Sequence, residues 1–317
     1  MDDPLIWIRA IHLASTVMAS GLAVFVLAVA EPALRSVGAP FPPSFWRQAA
    51  RSFRTSLAVA AVSGVAWIWL LAARIAGAPA SEVFTDDTAW VLLTETQFGW
   101  TCLVRLVCGA ALATTLSSDS RVVWRRTIAL VSSASFLGGL AWMGHGGATP
   151  GVEGYVHLGA DFLHLLAVGA WLGGLVPLLL ILRSLNLVAD RNSAAAIYGV
   201  SRQFSDFALV AVVVLVGTGL VNSWFLVGNI QALTGSDYGR LLLLKVGLFV
   251  AMLAFATANR LVLLPRLSLR ETAPDQAAIR KLQHSIVAEI CLGLAVVAVV
   301  AALGLMMPAA QVASHHH

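Results

Sequence analysis

Apolar runs of about 20 residues recur from end to end of this 317-residue chain, and no other feature restricts its fold as strongly. A run of that length wound as α-helix crosses the hydrocarbon core of a bilayer, where backbone N–H and C=O groups must bond within the segment. Eight runs read as spans, at about 5–30, 53–76, 98–117, 122–143, 155–182, 204–228, 239–264 and 284–307. The expected fold is therefore all-α: a polytopic membrane bundle of eight transmembrane helices forming one domain over residues 1–310. Only 11% of the residues are charged, against about 25% in soluble proteins, so no sizeable soluble domain fits between the runs. The first run lacks a basic leader and an A-x-A cleavage site, which marks it as a retained span rather than a signal peptide. Residues 313–317, "ASHHH", read as a tag remnant.

Charge alternates between the connections. Arg35, Arg47, Arg51 and Arg54 follow the first span, and Arg121, Arg125 and Arg126 follow the third. Arg183, Arg191 and Arg202 follow the fifth; Arg260, Arg266, Arg270, Arg280 and Lys281 surround the last turn-around. Fifteen of the 20 basic residues thus fall on one side. The opposite connections, such as "MDDP", "GHGGATPGVEG" and "NIQALTGSDYG", are acidic or neutral. The positive-inside rule puts the basic loops in the cytoplasm and both termini in the periplasm of an inner-membrane protein. Trp7, Trp90, Trp100, Trp142 and Trp224 sit near outer helix ends, as an aromatic belt does. The net charge of +4 follows from this loop asymmetry, so the lipid bilayer is a partner and nucleic acid is not.

Against this background "VHLGADFLHLLAVGAWLGG" is anomalous, because it carries His157, Asp161 and His164. On a helix the three share a stripe about 60° wide. An ionisable group at membrane depth costs about 2.5–3.5 kcal/mol even on a mild scale, so such a stripe points to function. His12 in the first span and His164 in the fifth both lie roughly 10–13 Å below the outer surface, with Thr16 one turn beyond His12. Met143 and His145 lie where the fourth span emerges, in a glycine-rich loop. His157 and His164 are about 10 Å apart along their helix, too far to share one ion from the same strand of backbone. The spacing therefore suggests a ladder: an outer site of Met143, His145 and His157, and an inner site of His12 and His164, with Asp161 orienting the imidazoles.

Imidazole with thioether or carboxylate suits copper, as Cu+ or Cu2+, with zinc next. A b-type haem held between His12 and His164 is the alternative. A hydrolase is not indicated, since no H-E-x-x-H signature appears. For any single histidine the competing reading is a hydrogen-bonded core residue. Arg9, Arg105, Lys245 and Glu289 read as structural partners of other buried groups, Arg9 being placed to neutralise Asp161. Glu31 and Asp206 read as caps or snorkelling groups at inner helix ends. Cys102 and Cys108 point about 120° apart on a helix and do not form a joint site. Pro177 is expected to kink the fifth span, and small residues such as Gly169, Gly173 and Gly174 to admit a close neighbour.

"VHLGADFLHLLAVGAWLGGLVPL", "FSDFALVAVVVLVGTGLVNSW" and "SDYGRLLLLKVGLFVAMLAFATANRLVLLPRL" together resemble the bacterial copper resistance protein D (CopD) family of inner-membrane proteins. "IRAIHLASTVMASG" and "LQHSIVAEICLGLAVVAVVAALG" extend the likeness. The resemblance implies an eight-helix protein that handles copper with a periplasmic copper-binding partner and moves it across the membrane. It also implies polar family positions at His12, His157, His164, Arg105, Lys245 and Glu289. The expectation is a copper binder and carrier rather than an enzyme.

Overall fold

The computed structural model describes residues 3–77, 79–82, 87–116, 123–186, 191–267 and 275–310. Arg121, Arg270 and residues 313–317 therefore lie outside the described residues, as does the side chain of Arg191. Among the described residues every regular element is helical: α1 (Pro4–Ser36), α2 (Pro43–Ala76), α3 (Thr88–Thr94), α4 (Gln97–Leu116), α5 (Val123–Gly138), α6 (Gly151–Asn186), α7 (Arg191–Val227), α8 (Ile230–Gly235), α9 (Asp237–Arg266) and α10 (Gln276–Leu303). Two 3-10 turns, Gly139–Met143 and His145–Ala148, join α5 to α6.

Among the described residues seven helices are long and apolar enough to cross a membrane: α1, α2, α4, α6, α7, α9 and α10. The remaining expected span, 122–143, contains α5, whose 16 α-helical residues tighten into the first 3-10 turn. The turn begins at the Gly138–Gly139 pair, where Phe162 and the Arg105 side chain leave no room for Cβ atoms. At the basic end several helices outrun their apolar runs. α2 begins at Pro43 and α10 at Gln276, about ten residues earlier than hydropathy suggests. Helix formation there continues past the apolar stretch because backbone hydrogen bonding does not depend on side-chain polarity.

Start signals are local. Asp3 accepts from Leu5 N at 2.9 Å ahead of Pro4, Ser236 caps α9 through Gly239 N at 3.0 Å, and Asp275 caps α10. Pro177 lies inside α6 without breaking it. α1 and α9 instead carry the irregularities, π-helical turns at Phe25–Ala30 and Asn259–Leu263. Where α1 loosens, the Leu27 carbonyl accepts from Arg126, which also holds Glu31 at 3.2 Å; Arg35 completes that cluster. Glu31 is thus ion-paired rather than merely capping or snorkelling.

α1 and α6 form the centre and are the most buried of the long apolar helices, whereas α9 is peripheral and the least buried. They meet backbone on backbone. A Cβ on Gly173 would lie 2.4 Å from the Val17 carbonyl oxygen, and one on Gly21 would lie 2.4 Å from Gly173 Cα. Without a hydrophobic force between helices in lipid, this close approach supplies the dispersion contact that associates them. α7 pairs antiparallel with α6, α2 and α5 lie against α1, and α10 packs against α1, α6 and α9. Trp7, Trp90, Trp100 and Trp224 remain exposed around the periphery, as side chains facing lipid and headgroups do.

Candidate metal-binding region

The antiparallel pairing of α6 and α7 sets a register that carries the polar stripe of α6. His157 stacks on Phe225 with ring centroids 4.9 Å apart. Asp161 accepts from Asn222 Nδ2 at 3.3 Å. His164 Nδ1 is 2.9 Å from Thr218 Oγ1. These rungs descend in step, so the stripe on one helix meets Asn222 and Thr218 one turn apart on the other. Lys245 on α9 interacts electrostatically with both Asp161 and His164, and Tyr238, the second residue of α9, interacts with Asp161.

The "GHGG" turn closes over this stripe. A Cβ on Gly146 would be 3.2 Å from Asp161 Cβ and 3.3 Å from its Oδ2, so the turn lies directly on the carboxylate. His145 then reaches α10, its Nε2 lying 3.4 Å from the Leu303 carbonyl and its ring against Tyr238. It is also within electrostatic reach of His157. Burial, aided by the charge of Arg9, holds the His145 imidazole below its ordinary range despite the Leu303 hydrogen bond.

The hydrogen bonds fix where the ring protons sit. Thr149 Oγ1 donates to the His145 carbonyl at 3.3 Å, so its lone pair accepts from His157 Nδ1 at 2.8 Å. Thr218 Oγ1 donates to the Val214 carbonyl at 2.6 Å and so accepts from His164 Nδ1. A carbonyl can only accept, so His145 Nε2 is the donor to Leu303. In the neutral rings, His157 and His164 therefore keep their lone pair on Nε2, and His145 keeps it on Nδ1. A histidine that gives one N–H to the protein and offers the other nitrogen is arranged as metal ligands are.

Sequence spacing gave Asp161 the orienting role. The structure gives it to the Thr149 and Thr218 hydroxyls, because the carboxylate turns toward Asn222 and the glycine turn. Arg9 does not neutralise Asp161 either. Its guanidinium lies 5.1 Å from the centre of the Trp67 ring and packs against Gly304.

His12 belongs to a different cluster. Its Nδ1 donates to the Ala60 carbonyl at 3.0 Å beside Ser63 Oγ, both on α2. Nε2 must then accept, and it does so from Arg105 at 2.9 Å. The same guanidinium reaches Thr16 Oγ1 at 3.3 Å, the Phe136 carbonyl at 2.9 Å and Met143 Sδ at 3.2 Å. One arginine thus ties α1, α4, α5 and the 3-10 turn together. His12 and His164 turn to separate neighbours, and Met143 faces Arg105 rather than His145. Among the described residues no three His, Cys, Asp or Glu side chains gather into one site. A haem between His12 and His164 requires both rings to face one iron, and these contacts lend it no support.

Glu289, in α10, is 2% exposed and accepts from Asn259 Nδ2 at 2.7 Å and from the Trp171 indole. Its hydrogen-bond partners are Asn259 and Trp171, and Lys245 is not among them. Thr149, Thr218, Asn222 and Tyr238 are the polar residues that sequence reasoning passed over in assigning the stripe its partners. The signal for two of them was present in "VGTGLVNSW", where Thr218 and Asn222 fall on one face of a span.

Comparison with known proteins agrees with this architecture. Residues 1–155 match the family "Copper resistance protein D-like, N-terminal domain", and residues 198–303 match "Copper resistance protein D". The chain is 32% identical to copper resistance protein D of Pseudomonas syringae pv. tomato, over 97% of this chain and 98% of that one. It is 32% identical to the inner membrane protein YebZ of Escherichia coli (strain K12), over 62% of this chain and 64% of that one. Copper transport protein CutJ of Bacillus subtilis (strain 168) is 37% identical over 32% of this chain and 18% of its own length. With near-complete coverage of both chains in the first comparison, this protein belongs to the copper resistance protein D family.

Proposed function

We propose that this protein is a multi-pass inner-membrane copper carrier. It crosses the membrane eight times with both termini in the periplasm, takes copper from a periplasmic copper-binding protein and passes it inward. No chemical transformation is assigned to it. The observation that carries the reading is the set of histidines at the acidic end, each anchored through one nitrogen. His145 Nδ1, His157 Nε2 and His164 Nε2 form successive single donors down one stripe. Asp161 lies between His157 and His164, and Lys245 balances its charge.

A ladder of single donors holds an ion less firmly than a closed cage, and permeation requires an ion to leave as well as arrive. His12 Nε2 and Met143 Sδ are a second pair of donors suited to copper. Arg105 occupies both at present, so they join the path only when the guanidinium withdraws.

The test is copper stoichiometry of the purified protein beside single variants. His145→Ala, His157→Ala, His164→Ala and His12→Ala should each lower bound copper, whereas His284→Ala, on the exposed face of α10, should leave it unchanged. Equal stoichiometry across all five, with unaltered thermal unfolding, would overturn the ligand assignment.

A further inference from the structure

The polar core also contains a second, inner arrangement built from oxygen groups. A cavity of about 100 Å³ lies between α6, α7, α9 and α10. Its walls are mostly apolar side chains, but Ser201 and Ser205 of α7, Asn259 and Arg260 of α9 and Glu289 of α10 also line it. Two of these buried polar atoms, Ser201 Oγ and Asn259 Oδ1, have no hydrogen-bond partner. Leaving such atoms unpaired in a low-dielectric interior costs about 1–3 kcal/mol each, so they point to an occupant of the cavity.

The geometry at Glu289 suits two protonation states. As a carboxylate it accepts from Asn259 Nδ2 at 2.7 Å, while Asn259 Oδ1 stands idle beside it. Half a turn of the amide exchanges these atoms, and a protonated Glu289 then donates to Oδ1. Asn259 sits where α9 loosens into its π-turn, an irregularity frequent at functional sites. Among the described residues, Arg260 and Glu289 are the only charged ones lining the cavity. Arg260 is already held by Ser205 Oγ at 2.7 Å and by Asp206 at 2.8 Å. Asp206 is about half exposed at the basic end, where Arg202 also reaches it at 3.1 Å. The half-exposed Asp206 and its partner Arg260 thus connect the basic end to a cavity that Ser201, Ser205 and Asn259 also line, and whose carboxyl lies about 20 Å along α10 from its first residue.

We propose that Glu289 is a proton-binding site that exchanges with the compartment facing the basic end. The donor set contains no thiolate, thioether or imidazole and therefore suits a proton rather than copper. The guanidinium in the same cavity disfavours a metal cation. Proton uptake here would counterbalance copper movement only if the carrier reading above holds; the proton exchange itself does not depend on it.

The experiment is infrared spectroscopy of the full protein in oriented vesicles, following the C=O stretch of protonated carboxyl groups as pH is stepped on one side. The parent should show a band that is lost as pH rises at the basic end. The band should be absent in Glu289→Gln, displaced in Glu289→Asp and shifted in Asn259→Leu. Gln231→Leu, exposed at the acidic end, should leave it in place, as should added sodium at fixed pH. A spectrum in Glu289→Gln identical to the parent's would overturn the proposal. So would a band that follows sodium rather than pH, or one that responds only from the acidic end. Copper stoichiometry plays no part in this readout, so the two readings fail separately.

Discussion

Arg105 Nη2 lies 2.9 Å from His12 Nε2, a nitrogen that the Ala60 carbonyl has already fixed as an acceptor. Because the guanidinium also holds Thr16, Phe136 and Met143, this pair joins four parts of the bundle. Arg105→Leu should therefore leave several acceptors unsatisfied and destabilise the protein by about 1–3 kcal/mol for each buried one. His12→Phe removes one of those acceptors, so the double variant should lose less than the sum of the two singles. A coupling of about 0.5–3 kcal/mol is expected from denaturant unfolding in detergent. Additive losses would show that the two side chains act independently.

Thr149 fixes the His157 ring without itself facing the proposed ion. Thr149→Val should weaken copper binding by about 10–100-fold, the usual effect of removing a hydrogen bond behind a ligating histidine, whereas Thr149→Ser should retain it. Titration with copper under matched conditions separates the two variants. Equal affinity in Val and parent proteins would remove the hydroxyl from the account.

Gly173 meets the backbone of α1, and a methyl group there cannot be accommodated by moving a flexible side chain. Gly173→Ala should cost about 1–3 kcal/mol as overpacking and lower the thermal midpoint. Gly159→Ala is the control. Nothing lies within 4 Å of its added Cβ, and alanine favours helix by about 0.5–1 kcal/mol, so this variant should be as stable as the parent or more so.

The sidedness inferred from the basic loops can be read by cysteine labelling. In a background lacking Cys102, Cys108 and Cys291, Gln231→Cys lies at the acidic end and Gln48→Cys at the basic end, both exposed. A membrane-impermeant maleimide should label Gln231→Cys in intact spheroplasts and Gln48→Cys only after lysis. The reverse pattern would invert the orientation.

The succession of apolar runs was enough to specify helices, since hydrocarbon leaves the backbone no other partner than itself. It also marked the stripe of His157, Asp161 and His164, because charge in lipid stands out against its surroundings. Helix ends at the basic side were less visible. Pro43 to Ser52 and Gln276 to Gln283 are polar enough to look like loops, yet they extend α2 and α10.

Periodicity along one helix determined which residues share a face, and hence that three ionisable groups of α6 stand together. It carried no information about the azimuth of one helix against another. Only the packing of α6 against α7, with Gly21 against Gly173 drawing α1 close, decided that His164 meets Thr218 while His12 meets Arg105. The physical reason is that a side-chain hydrogen bond forms within about 3 Å, whereas a small rotation of a helix carries its side chains several ångströms. Local sequence fixes the first scale, and the contacts of the whole bundle fix the second.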